Sequence, residues 1–106
     1  AVKAGGFLFL SGQIALAPKT SELKIGNIAE ETKQVMENLR AVLEEAGFNF
    51  GNVIKTSIFL KEMSSFATVN EEYGKYFEKD FPARETVAVK TLPKDVNVEI
   101  SMVAFG

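Results

Sequence analysis

The sequence predicts an α+β fold, a mixed sheet with two helices packed on one face. Two long stretches repeat apolar residues at helical spacing, and four shorter ones are rich in β-branched and aromatic residues. Their order is strand, helix, strand, helix, strand, strand. The 106 residues fit one domain, residues 1–106, with no repeat, linker or low-complexity stretch.

Phe7-Leu8-Phe9-Leu10 reads as the first strand, ended by Ser11-Gly12, and a further short strand could follow from Gln13 to Leu16. Pro18 and Gly26 bracket a loop or hairpin. Asn27 with Glu30 three residues on resembles a capping box and starts a helix. Its apolar stripe is Ile28, Val35, Leu39, Val42, Leu43 and Ala46, and Gly47 stops it. Glu30, Lys33, Glu37, Arg40 and Glu44 form its solvated side. Val53 to Leu60 suits a strand. Ser64 or Ser65 is placed to cap a second helix, with Phe66, Val69, Tyr73, Tyr76 and Phe77 as its stripe and Pro82 as its limit. A strand near Thr86 to Val89, a turn at Pro93-Lys94-Asp95 and a last strand from Val96 to about Phe105 complete the chain. On this reading the last two strands face each other across the turn. Arg84 then stands at the mouth of one and Glu99 in the middle of the other, and a lone charge in an apolar strand needs a partner or a task.

Side-chain alternation divides each strand into two faces. Val96, Val98, Ile100, Met102 and Ala104 oppose Asn97, Glu99, Ser101, Val103 and Phe105. Val87 and Val89 oppose Arg84, Thr86 and Ala88, and Leu8 and Leu10 oppose Phe7, Phe9 and Ser11. One face of each strand belongs under the helices. The other mixes aromatics, small polar groups and a few charges, is too apolar to leave wet, and has no helix to cover it. A homo-oligomer packed through that face is expected, with Arg84 and Glu99 on or beside the interface.

The composition removes whole classes of chemistry. There is no histidine, cysteine or tryptophan. That excludes imidazole- or thiolate-based metal sites, Ser-His and Cys-His dyads within this chain, and disulfides. The net charge is −2 and no basic cluster exceeds two neighbouring cations, so no nucleic-acid footprint is expected. No apolar run reaches membrane-spanning length, and a cytoplasmic setting is the default expectation. Carboxylates, lysines, two arginines, hydroxyls and amides remain. That set suits recognition of a small carboxylate and the positioning of water.

Ser11-Gly12-Gln13-Ile14, the helix ending near Ala46-Gly47, Val53-Ile54-Lys55-Thr56, Asn70-Glu71-Glu72-Tyr73, Pro82-Ala83-Arg84, Leu92-Pro93-Lys94 and Val98-Glu99-Ile100 follow in one order. Over nearly the whole chain this ordered set resembles the RidA family, also called YjgF. The resemblance implies a chorismate-mutase-like fold and a homotrimer with three clefts between subunits. It implies hydrolysis of reactive 2-enamine or 2-imine acids, such as 2-iminobutanoate and 2-iminopropanoate, to 2-ketoacids and ammonia, with no cofactor and no metal. By similarity Arg84 would bind the substrate carboxylate and Glu99 would position the attacking water. Ser11, Gly12, Asn70 and Thr86 would line the cleft. Two departures stand out. Relatives carry a Gly-Pro-Tyr-Ser segment before the first strand whose tyrosine reaches the cleft, and the sequence given starts after that point. Thr86 stands where many relatives have cysteine or serine.

Each assignment has a plainer alternative. Arg84 could pair with Glu85, Glu99 or a neighbouring subunit, although its planar fork suits a two-bond grip on a carboxylate. Glu99 could partner a buried cation rather than hold water. Ser11 suits a strand-end turn, Thr86 a strand position, and Asn70 an amide bonded to backbone. Phe66, Tyr73, Tyr76 and Phe77 read as core. A non-catalytic trimeric module binding small carboxylates or ketoacids would use the same Arg84. An RNA-directed activity, proposed for some relatives, fits the acidic balance and the missing histidine poorly.

Overall fold

The computed structural model describes all 106 residues. Its sheet has five strands: β1 (Val2–Ala4), β2 (Phe7–Gln13), β3 (Val53–Leu60), β4 (Ala83–Ala88) and β5 (Val98–Phe105), in the spatial order β1-β2-β5-β3-β4. Helices α1 (Ile28–Glu45) and α2 (Phe66–Gly74) supply the two crossovers and pack on each other. β5 is antiparallel to both β2 and β3, while β3 and β4 are parallel. The sheet is therefore mixed, as the sequence predicts.

The hydrophobic pattern explains this order. Val98, Ile100, Met102 and Ala104 of β5 are all at most 2 % exposed, so that strand belongs in the middle of the sheet. β4 is exposed at every position except half-buried Thr86 and takes the edge. Leu8, Leu10, Val53, Ile58 and Leu60 join β5 in a core completed by Val35, Met36, Leu39 and Leu43 of α1 and Val69 and Tyr73 of α2. Each such aliphatic side chain removed from water contributes about 1.5–3 kcal/mol. The opposite face, carrying Phe7, Phe9, Phe59, Val87, Glu99, Val103 and Phe105, has no helix over it. Phe9 and Phe105 are 47 % and 50 % exposed there.

α1 begins where expected: Asn27 Oδ1 accepts from the Glu30 N–H at 3.1 Å. α2 begins differently. Ser65 makes no side-chain cap bond, and a 3₁₀ turn at Met63–Ser65 leads into the helix instead. α2 ends at Gly74, so Tyr76 and Phe77 lie beyond it. The segment from Ile14 to Leu23 forms a single bridge, Leu16 to Leu23, rather than a strand.

The pairing of the last two strands is the main correction. β4 and β5 are not neighbours, because β3 lies between them. The β3–α2–β4 crossover makes β4 parallel to β3, and registered residues of parallel strands point to the same side. Arg84 pairs with buried Thr56, and Thr86 with buried Ile58. Arg84, Thr86 and Ala88 thus face the helix side. Glu85 and Val87 face the bare side, the reverse of the alternation expected for this strand.

Candidate active site

Arg84 sits at the start of the edge strand and leans on α2. Its Nη1 donates to Asn70 Oδ1. Its Cζ lies 5.6 Å from the Phe66 ring centre and 5.5 Å from that of Tyr73. Asn70, Tyr73, Gly74, Phe81, Pro82 and Arg84 line a shallow pocket open to solvent. Burial pushes the Tyr73 phenol up, opposed by its bond to Thr56 and by the Arg84 charge. Phe66 is 37 % exposed and covers the arginine rather than filling the core expected of it.

The two arginines of the chain have different partners. Arg40 lies 3.4 Å from the Glu37 carboxylate and stacks on Phe50 and Tyr76 in a separate hollow beneath the C-terminal half of α1. Arg84 has no carboxylate within ion-pair distance. Apart from its bond to Asn70, the fork is available to an outside acid. Thr86, two residues along on the same side of β4, has a buried Oγ1 with no hydrogen-bond partner. Such groups are rare in native structures and mark places where something else completes the bonding.

Glu99 lies on the other face. It is half-buried in β5, in register with Phe59 of β3, and its side chain has no hydrogen bond or ion pair within the chain. Its carboxylate lies against Gly12, where an added Cβ would sit 2.8 Å from both Cδ and Oε2. The lack of a side chain at Gly12 lets the carboxylate lie there, and any larger residue would push it aside. Gly12 falls in an irregularity of the β2–β5 ladder between Leu10 and Gln13. Ser11 is exposed beside it, its carbonyl accepting from Gln13 Nε2 at 3.2 Å.

The predicted residues therefore fall into two groups, Arg84 with Asn70 and Thr86, and Glu99 with Ser11 and Gly12. Arg84 and Glu99 are two strands and three register positions apart, roughly 14 Å between Cα atoms from ideal sheet spacings, and they point to opposite faces. They do not meet within one protomer. Three supporting residues carried no sequence signal of a role: two hold Arg84, and the third, Glu31, accepts from Asn97 and Val98 just before Glu99. Phe66 and Tyr73 look like core aromatics, and Glu31 hides among the charges of α1. No group of three acidic, histidine or cysteine side chains is placed to hold a metal ion, and no helix is long and apolar enough to cross a membrane.

Comparison with known proteins identifies the scaffold. The family described as Endoribonuclease L-PSP matches residues 1–105. A RutC family protein of Pyrococcus horikoshii is 50% identical over 105 residues, covering 99% of this chain and 83% of its own. The human 2-iminobutanoate/2-iminopropanoate deaminase is 43% identical over 98 residues, covering 92% of this chain and 72% of its own. The crystal structure of RidA from an Antarctic Psychrobacter superposes with a TM-score of 0.94 at 36% identity, covering 99% of this chain and 85% of that one. The chain thus belongs to the endoribonuclease L-PSP family, the RidA/YjgF proteins.

Proposed function

We propose that the protein is a homotrimeric 2-imino-acid deaminase of the cytoplasm. Each cleft would combine the Arg84 group of one protomer with the Glu99 group of its neighbour. The observation that carries this reading is that Arg84, alone of the two arginines, is fixed at the surface without a carboxylate of its own. The opposite orientations of Arg84 and Glu99 favour a cleft shared between copies, since the uncovered apolar face is suited to bury itself against another copy.

In this cleft the Arg84 fork binds the substrate carboxylate through two N–H donors. The imine carbon, electrophilic once its nitrogen is protonated, is held near a water oriented by Glu99. As the water oxygen bonds to that carbon, Glu99 accepts a water proton. Return of the proton to the amino group of the tetrahedral adduct lets the C–N bond break while the adduct's hydroxyl becomes the carbonyl and passes its proton to the departing ammonia, releasing ammonium and a 2-ketoacid. Ser11, Gly12, Asn70 and Thr86 line the cleft. The reaction needs no cofactor, and the human relative named a deaminase of the same substrate class supports it.

The test couples the protein to an amino-acid dehydratase and follows ketoacid release. Acceleration lost in Arg84→Ala supports the enzyme. Ketoacid binding without acceleration would instead make the protein a binding module. Tight, salt-sensitive RNA binding in place of both would return the RNA-directed reading.

A further inference from the structure

We infer that one face of α2, formed by Phe66, Asn70 and Tyr73, is a positioning device that fixes the Arg84 guanidinium before any acid arrives. This rests on the carboxylate-binding reading of Arg84. The three residues are four and three positions apart and so share one side of the helix. Phe66 and Tyr73 lie within cation–π range of Arg84, at 5.6 and 5.5 Å, and Asn70 accepts its hydrogen bond.

The device is itself anchored. Tyr73 is 3 % exposed, and its hydroxyl donates to Thr56 Oγ1 at 2.9 Å. Thr56 is fully buried on β3 and is the register partner of Arg84. Turning the Tyr73 ring away would break a buried hydrogen bond. Phe66 reaches the arginine from the first turn of α2, and Asn70, between the two aromatics in sequence, accepts from the guanidinium. The side chain that must meet the ligand thus starts in one orientation, although it is exposed on an edge strand.

An exposed arginine ordinarily gives up rotamer freedom when it binds, and holding it in advance removes that cost. Because the carboxylate stays on Arg84 from substrate to product, the benefit applies to ground and transition states alike. It should appear in KM rather than kcat.

Phe66→Leu and Asn70→Ala test this in the full chain, with Tyr73→Phe as the variant that keeps the ring. For Phe66→Leu and Asn70→Ala, KM for 2-iminobutanoate and Kd for 2-ketobutanoate should each rise about tenfold with kcat nearly unchanged. Tyr73→Phe should do less. An independent readout comes from the two arginine Nε–H resonances by NMR. In the ligand-free protein the Arg84 signal should report a rigid side chain, loosened in both variants while Arg40 stays as it was. A mobile Arg84 in the unmutated protein, or unchanged KM and Kd in the variants, overturns the inference. A rigid Arg84 that the variants loosen, in a protein that neither binds ketoacid nor releases it, upholds the positioning device and sinks the deaminase reading instead.

Discussion

The two halves of the site differ in how much of their surroundings the chain itself provides. Around Arg84 one protomer supplies an amide, two aromatic rings and a pocket wall. Around Glu99 it supplies a glycine that makes room, and no donor to the carboxylate. A half-buried carboxylate without donors is costly unless something outside the protomer attends to it. The Arg84 side chain, by contrast, is contacted by three residues of α2. The arginine of the cationic half is held within the monomer, although Thr86 Oγ1 beside it stays unpartnered, and the Glu99 carboxylate receives no donor from its own chain.

Arg84→Ala gives the largest expected effect, a fall in kcat/KM of about a thousandfold, roughly 4 kcal/mol, from losing the charge-assisted grip. The proposed trimer should survive, checked by light scattering. Mixing Arg84→Ala with Glu99→Ala then sharpens the contrast. A cleft shared between copies regains about a quarter of full activity on random subunit exchange, because some clefts receive both intact residues. A cleft within one protomer regains none, and that result would break the assignment of the halves to different copies.

Gly12→Ala probes the acidic half without touching the cationic one. The new methyl would lie 2.8 Å from Glu99 Cδ and Oε2. The carboxylate must swing away, and a displacement near 1 Å costs about a hundredfold in rate. The expected result is a loss in kcat with little change in ketoacid affinity, the opposite pattern to the α2 variants.

Much of this layout was legible in the sequence, for physical reasons that also explain the failures. α1 was readable because its stripe repeats over five turns and Asn27 caps it. The faces of β5 were readable because a fully buried side alternates strictly with a mixed one. β4 was misread because an exposed edge strand carries little alternation, and nothing local encodes a parallel partner reached through a helix. Adjacency in sequence does not make β4 and β5 neighbours in space, because β5 sits between β2 and β3. The strand Val2–Ala4 is short and wholly exposed, so no hydrophobic signal marked it. The separation of Arg84 from Glu99 follows from the strand order, which no single motif contains.

Glu31 shows that the acidic half is supported through its backbone. This carboxylate of α1 is fully buried. It accepts from Asn97 N at 2.8 Å, Asn97 Nδ2 at 2.8 Å and Val98 N at 3.2 Å. It thus holds the chain immediately before Glu99. Glu31→Ala leaves these donors unpaired in the interior and should cost about 2–3 kcal/mol by urea unfolding. Glu31→Gln, which keeps an acceptor, should cost clearly less. Equal losses would mean that the charge itself, and not the acceptor geometry, anchors the strand.

The smallest effect concerns Glu85, a second carboxylate on the bare face whose partners are local. It lies 3.2 Å from Lys55 Nζ and accepts from Ser57 Oγ at 3.2 Å. The Lys55 hydrogen bond, then its charge, then the Ser57 bond hold the Glu85 carboxyl below its ordinary value. A carboxylate depressed in the folded state contributes stability that is present above the unfolded value of about 4.5 and lost as pH falls through the folded one. Lys55→Gln should therefore lower Tm at pH 7 by about one degree, as exposed pairs do. The difference should shrink as pH falls through the folded value of Glu85 and vanish once its carboxyl is protonated with and without the lysine. If it persisted in acid, Lys55 would be acting through packing on the bare face.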